Sequence, residues 1–253
     1  MLAIERRNQI RLQLIEKKSV SVTEIANLFD VTEETIRRDL KVMEEEGLLT
    51  RTYGGAYIKE NVLSEEEVKF RETAYLDSKE LIASSCLNII QSGDTLFLDS
   101  STTAAVLASK LKNLKLTVVT NSLMVVDQVK EMDNIHLICI GGTYSSRSKS
   151  FNGSMTLKAL KGYFVDKAFI SCRSLSMEHG ITDSNEENAQ VRQLIVKSSD
   201  KTYLIADKTK IGKTSFVQIC DFEDITGLIS DYSFSPDWKH FLLKKNISLY
   251  ECR

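Results

Sequence analysis

From residue 76 onward the chain alternates two kinds of segment. Apolar runs ("TLFLD", "LTVVTN", "HLICIGG", "KAFISC", "TYLIAD", "TGLISD") are separated by stretches with helical periodicity ("SKELIASSCLNIIQ", "TAAVLASKLK", "SLMVVDQVKEM", "NEENAQVRQLIVKSSD", "DWKHFLLKKN"). A continuous apolar run has to be covered on both faces, and amphipathic connections cross back over a sheet, so the pattern predicts a mainly parallel sheet with helices on both sides. A chain of 253 residues, 42% of them hydrophobic, is long enough for one large domain or two smaller ones, and buries roughly 70 to 75% of its extended surface. The single proline, Pro236, argues against a long disordered segment. Near the end, a helix at about residues 237–245 and a strand "ISLYEC" are expected, the strand closing the sheet or forming a subunit contact.

In such sheets ligands bind at the carboxyl ends of the strands. There the sequence is rich in small polar residues. "LFLDSSTTAAVLA" places Asp99, Ser100, Ser101, Thr102 and Thr103 between a strand and a helix, where hydroxyls and free amides suit a phosphate. "VVTNSLMVV" repeats the arrangement with Thr120, Asn121 and Ser122, and "ICIGGTYSSRS" adds a Gly141-Gly142 turn followed by Arg147. Any one of these is satisfied by a helix cap; three on one sheet edge point to a site. Asp183, Glu186 and Glu187 in "HGITDSNEENAQVR", and Asp207, Lys208, Lys210 and Lys213 in "IADKTKIGKT", add groups suited to sugar hydroxyls and to phosphate, although solvated charge explains Glu186 and Lys208 equally well. The expected effector is a phosphorylated sugar or polyol.

The front of the chain reads differently. Ile10, Leu14 and Ile15 mark an amphipathic first helix; Ser21 and Glu24 have capping-box spacing for a second, carrying Ile25, Leu28 and Phe29. Thr32 can cap a third, "TEETIRRDL", on which Ile36, Leu40 and Met43 share one face while Glu34, Arg37, Arg38 and Lys41 share the other. Gly47 suits a left-handed helix end, and "LLTRTYGGAY" predicts two strands about a Gly-Gly turn. This is the order of a winged helix-turn-helix, whose second motif helix enters the DNA major groove. On that reading Ser21, Thr32, Glu34, Thr35, Arg37, Arg38 and Lys41 face the duplex, and Arg51 and Tyr53 lie on the wing. Local placement must carry the binding, because residues 1–57 hold nine Lys and Arg against ten acids and the whole chain is near −2.

These residues resemble the DeoR family of bacterial transcriptional regulators. The likeness rests on "RNQI" in the first helix, Thr32, then Thr35-Ile36-Arg37-Arg38-Asp39-Leu40, and Gly54-Gly55-Ala56 in the wing. It continues through the rear of the chain. The family pattern there appears as Asp99, Ser100, Ser101, Thr102 and Thr103, as Thr120-Asn121-Ser122, as Gly141-Gly142, as Gly180 through Glu187, and as Asp207 with Lys210 and Gly212. Ser101 stands where the family usually has glycine, and Lys208-Thr209 where it has His-Ser; both bear on which ligand fits. The resemblance implies a sensor domain with a fold like ribose-5-phosphate isomerase and a sugar-phosphate effector; because a single DNA-binding module is small, a homo-oligomer, dimer or tetramer, on double-stranded operator DNA is expected.

The expected organisation is therefore α/β: residues 1–57 a winged helix-turn-helix, 58–75 a charged linker with a short helix opened by Ser64 and Glu67, and 76–253 an effector-sensing and oligomerisation domain. No apolar run approaches the ~18 residues of a membrane helix, and the charged start "MLAIERRNQI" is no secretion signal, so a cytoplasmic protein that avoids membranes is expected. The five cysteines lie far apart without a C-x-x-C pair and read as buried thiols; with three scattered histidines they predict no metal site and no cofactor. No catalytic residues are assigned. The alternatives are an isomerase or transferase carrying a DNA-binding head, for which Asp183, Glu187 and Lys210 are conceivable acid and base groups, and a DNA-binding protein without a small-molecule effector.

Overall fold

The computed structural model describes residues 2–17, 19–57 and 71–253, with only the backbone at residues 15 and 16. The chain divides into two compact units, residues 1–71 and 72–253. The capping pair expected at Ser64 and Glu67 lies outside the described residues; residues 71–73 are helical.

The front unit runs α1 (Ala3–Lys17), β1 (Ser19–Ser21), α2 (Val22–Phe29), α3 (Glu33–Glu45), β2 (Thr50–Arg51) and β3 (Gly55–Tyr57). Its caps are those the sequence predicts. Ser21 accepts from the Glu24 amide at 3.5 Å and Thr32 from the Thr35 amide at 3.3 Å. Asp30, with φ +52, turns the chain between α2 and α3. Gly47, φ +76, ends α3, and the Leu48 amide donates to Met43 O at 3.0 Å. Ile10, Leu14, Ile25, Ile36, Leu40 and Met43 form the core. The expected hairpin is joined by β1, which sequence periodicity does not reveal, giving the order β1-β3-β2. Gly55 is required there, because a Cβ would lie 2.0 Å from Val20 O.

One interaction ties the outer helices. Arg6 Nε on α1 donates to Asp39 Oδ2 on α3 at 2.5 Å, and both side chains are almost wholly buried. Asp39 sits on the same side of α3 as Ile36, Leu40 and Met43, so the pair fixes which way the helix is rotated.

The larger unit is a seven-stranded parallel sheet in the order β15-β14-β12-β9-β4-β5-β6. Its strands are β4 (Thr95–Leu98), β5 (Leu116–Thr120), β6 (Ile135–Cys139), β9 (Val165–Ile170), β12 (Ser199–Ile205), β14 (Gly227–Ser230) and β15 (Ser248–Glu251). Alternation along each strand divides the core. Leu96, Leu98, Val118, Phe169 and Ile205 face α4 (Leu76–Leu87), α5 (Thr102–Ser109) and α6 (Leu123–Val129). Phe97, Val119, Ala168, Ile170 and Leu204 face α7 (Ser154–Leu160), α8 (Glu186–Lys197) and α9 (Pro236–Lys244). The "ISLYEC" segment closes the sheet beside β14.

Three additions were not anticipated: helix α7, a hairpin of β7 (Thr143–Ser145) and β8 (Ser150–Asn152), and a sheet of β10 (Ser174–Ser176), β11 (Gly180–Asp183) and β13 (Val217–Cys220). The expectation of buried thiols holds for Cys86, Cys172 and Cys220 but not for Cys252, which is half-buried, or for Cys139, which is exposed because β6 is an edge strand.

Replacing Asp39 by Ala strands the Arg6 charge in the core, a loss of about 3–5 kcal/mol. Calorimetry of the full chain should show the transition of the front unit shifted down by more than 10 °C, while Glu45→Ala on the exposed face leaves it within about 2 °C.

Candidate functional site

On α3 the surface opposite the core carries Glu34, Arg37, Arg38 and Lys41, all exposed. Arg37 Nη2 donates to Glu33 Oε2 at 2.6 Å, one turn back, with both side chains about half exposed. Thr23 of α2 also donates to Glu33, at 2.7 Å. The Thr23 and Arg37 hydrogen bonds hold the Glu33 carboxyl below the usual range. Such an exposed pair is worth little and opens readily for a phosphate or a base edge. Lys41 stands 4.0 Å from Glu45. Arg37, Arg38 and Lys41 form an exposed ridge on the helix, with Glu33, Glu34 and Glu45 beside them.

The wing differs in detail from the sequence expectation. Arg51 is engaged by Glu44, which accepts from its Nε at 2.7 Å and its backbone amide at 2.8 Å; Arg51 must leave that carboxylate to reach a duplex. Tyr53, at the tip, is fully exposed. The Ser21 and Thr32 hydroxyls are both committed to capping, which leaves Thr35, bonded to Thr32 at 2.9 Å, among the half-buried residues of the ridge.

In the larger unit the strand order reverses between β4 and β9, the place where parallel sheets open a crevice. Four adjacent strands, β12, β9, β4 and β5, end there. Asp99 follows β4, Asn121 follows β5, Ser171 follows β9, and Asp207 lies just beyond β12. Ser101 caps α5, accepting from the Ala104 amide at 3.1 Å, so the Ser100, Ser101, Thr102 and Thr103 turn lies at that helix's positive end.

The crevice is organised by a residue the sequence reading missed. Arg192 of α8 donates through Nε to Asp99 Oδ2 at 2.7 Å and through Nη1 to Asp183 Oδ2. All three side chains are more than nine-tenths buried. Burial pulls the Asp99 carboxyl upward, but Arg192 and the Ser101 and Ser171 amides outweigh it and hold it below its ordinary value. Burial likewise works against the Arg192 cation, and the two carboxylates more than offset it.

Several residues of the expected contact set bond within the protein. Asp99 has both oxygens occupied, Oδ1 by the Ser101 amide and Oδ2 by Ser171 and Arg192. Asp183 is shared between Arg192 and the Asn185 amide. Thr120 donates to Leu98 O at 2.7 Å and accepts from the Ser122 amide, while Ser122 accepts from the Val125 amide. These groups shape the crevice from inside.

Asn121 is different. Its Nδ2 donates to Phe151 O at 2.8 Å, and its Oδ1 is buried with no hydrogen-bonding partner, alone in this among the described residues. Turning the amide over would set its oxygen against Phe151 O and Asn152 Oδ1, so the orientation is fixed by its neighbours. Asn152 in turn donates to Asn188 Oδ1 at 3.3 Å, one turn before Arg192 on α8.

Lys210 reaches the same edge. Its Nζ donates to Ser171 Oγ at 3.0 Å and Cys172 O at 2.8 Å, and stands 3.8 Å from Asp207. Asp207 is pulled up by burial but held low by Lys210 and Thr209. Burial pushes the Cys172 thiol up to about 12, against the pull of Lys210 and Arg192. Gly141 accepts from Thr156 Oγ1, and Gly142 permits that approach, since a Cβ would lie 2.0 Å from the same oxygen. Arg147, Glu187 and Lys213 are exposed: the first between β7 and β8, the second on the first turn of α8, the third beside β10, where its amide donates to Leu175 O. The structure does not draw them into the Asp99–Arg192 cluster.

Residues 6–62 match the model of the DeoR-like helix-turn-helix domain and residues 75–232 that of the DeoR C terminal sensor domain. The chain is 37% identical to the uncharacterized HTH-type transcriptional regulator YulB of Bacillus subtilis, covering 93% of this chain and 92% of that protein. It is 31% identical to the L-fucose operon activator of Haemophilus influenzae (91% and 93% covered) and 31% identical to the HTH-type transcriptional repressor GlcR of Bacillus subtilis (86% and 84%). Among solved structures, ribose 5-phosphate isomerase A of Methanocaldococcus jannaschii superposes with a TM-score of 0.40 at 16% identity, over 53% of this chain and 54% of that one.

Arg192→Met leaves two carboxylates buried without their cation, at about 3–5 kcal/mol near pH 7. In the wild type, the lowered Asp99 pKa is a stability contribution present above the unfolded carboxylate range and lost as pH falls through the folded value. Without Arg192 burial dominates and the folded pKa rises, so the destabilisation should shrink as pH drops from 7 toward 4. Urea unfolding across that range checks the sign.

Proposed function

The chain belongs to the DeoR family of transcriptional regulators, and we propose that it is a sequence-specific repressor of sugar-metabolism genes whose operator affinity is set by a phosphorylated sugar. Residues 1–57 bind the duplex and residues 76–253 sense the effector and assemble the oligomer, a dimer or tetramer on repeated half-sites. The protein works in the cytoplasm, in keeping with the lack, among the described residues, of any helix long and apolar enough to cross a membrane.

Arg38 and Arg37 donate to guanine edges or phosphates once Glu33 releases the latter; Lys41 and Thr35 hold the backbone, and Tyr53 and Arg51 lie along the wing's groove. In the larger unit the phosphate sits at the amino end of α5, on the Ser100, Ser101, Thr102 and Thr103 turn, with Lys210 nearby as cation. A sugar hydroxyl donates to Asn121 Oδ1. That acceptor is the observation that carries the reading: a buried amide oxygen left unsatisfied costs about 1–3 kcal/mol, and it lies where four strand ends meet. Arg147, Glu187 and Lys213 stay at the rim.

Catalysis has little support from the same geometry. Proton transfer at a sugar carbon needs a base aimed at the substrate, and of the three candidates Asp183 is committed to Arg192, Lys210 donates to Ser171 and Cys172 O, and Glu187 lies exposed on the first turn of α8. A regulator needs only that the ligand bind one conformation better than another, and a coupling of about 1–3 kcal/mol changes operator affinity 5 to 150-fold.

Two measurements test this. Arg37→Ala and Arg38→Ala should each weaken binding to a duplex selected from a random library by about 10 to 100-fold, and together abolish selection over random sequence, with the melting curve unchanged. Titration calorimetry with a panel of sugar phosphates should give a binder that Lys210→Met and Asn121→Leu each weaken by at least about 10-fold. No heat from any sugar phosphate would leave a DNA-binding protein without an effector.

A further inference from the structure

The chain coming from the front unit enters the larger one at Glu72, and its first residues there are gripped from two sides of the crevice. Lys149 Nζ donates to Glu72 Oε1 at 2.5 Å, with both side chains about two-thirds buried. Lys79 of α4, itself 4% exposed, donates through Nζ to Ala74 O at 2.5 Å and Glu72 O at 3.5 Å.

Lys149 belongs to the crevice. The Lys149 carbonyl accepts from the Leu123 amide at 2.8 Å, two residues beyond Asn121. The Asn121 carbonyl accepts from the Phe151 amide at 2.8 Å, and Asn121 Nδ2 donates back to Phe151 O at 2.8 Å. Asn121 and residues 149–151 are thus clasped by backbone and side chain. On the other side, the Lys79 charge helps to hold the Asp207 carboxylate, which is paired with Lys210.

Lys149 also has φ +45, a conformation that suits glycine and is costly for a branched or long side chain. A lysine stands where the backbone favours glycine, and among the described residues its ammonium contacts Glu72. We propose that the Lys149–Glu72 ion pair, seconded by Lys79, carries effector occupancy from Asn121 to the segment that leads to the DNA-binding unit. Lys149 and Glu72 are positioning residues: they touch neither ligand nor DNA, and they set the coupling between the two affinities. This rests on the effector reading given above.

The experiment uses the full chain, a duplex selected from a random library, and glucose 6-phosphate, fructose 6-phosphate, fructose 1-phosphate, ribose 5-phosphate, glycerol 3-phosphate and inorganic phosphate as probes. Duplex affinity is measured with and without saturating probe, and probe affinity by calorimetry, for the wild type, Lys149→Gly, Glu72→Gln and the charge-swapped Lys149→Glu/Glu72→Lys double variant. Lys149→Gly relaxes the backbone, so it folds while losing the ammonium. The wild type should show a ratio of about 5-fold or more; each single variant should keep both separate affinities within about 2-fold and bring the ratio within about 2-fold of one, and the double variant should restore it. A wild-type ratio retained in Lys149→Gly overturns the coupling role alone, as does a loss of probe affinity in that variant, which would make Lys149 a ligand contact. A wild type whose duplex affinity no probe changes overturns this proposal and the effector reading together.

Discussion

A guanidinium removed from water has to find its full complement of negative charge inside the protein, or the fold does not tolerate it. Arg192 meets that condition with Asp99 at the end of β4 and Asp183 at the end of β11. Asp99 also takes the Ser171 amide at the end of β9. One buried cluster thereby fastens α8 to two adjacent strands at the point where the sheet order reverses, and its orientation carries Asn188 toward Asn152 and Asn121. The sheet supplies the crevice; this cluster supplies its shape.

The front unit uses the same device for another end. Arg6 and Asp39 are buried against each other, and because Asp39 lies on the core side of α3, its neighbours Arg37 and Arg38 are turned outward. In each unit a buried Arg–Asp contact sets the rotation of a helix, and the side chains proposed to meet DNA or effector are what the opposite face, or the next turn, then presents. Specificity of position is the best-supported use of such pairs, since their net contribution to stability is small relative to well-packed apolar residues.

Much of this was legible in the sequence because it is written in local spacing. The α3 face pattern, the Ser21 and Thr32 caps, the Gly47 helix end and the alternation of apolar runs each depend on residues within one or two turns of each other. What escaped reading depends on distant partners. Arg6 and Asp39 are 33 positions apart and Arg192 and Asp99 are 93, and nothing in "NAQVRQLIV" distinguishes Arg192 from a solvated helix residue. The exposure of Cys139 follows from β6 being an edge, which is a property of strand order. Helix α7 and the short strands β7, β8, β10, β11 and β13 are three to seven residues long, too brief for periodicity to register. Asp99, Thr120 and Ser122 were read correctly as belonging to a polar sheet edge, but whether a polar group faces a ligand or its own backbone is decided by geometry alone.

Operator and sugar phosphate, as proposed above, bind different units of one chain and are thermodynamically linked. Linkage is reciprocal: whatever factor the sugar phosphate applies to operator affinity, the operator must apply to sugar phosphate affinity. Measuring both, by titrating the operator at saturating sugar phosphate and the sugar phosphate at saturating operator, should give one common factor of about 5 or more in the same direction. Two affinities that are each real but independent, with both factors equal to one, would contradict the account.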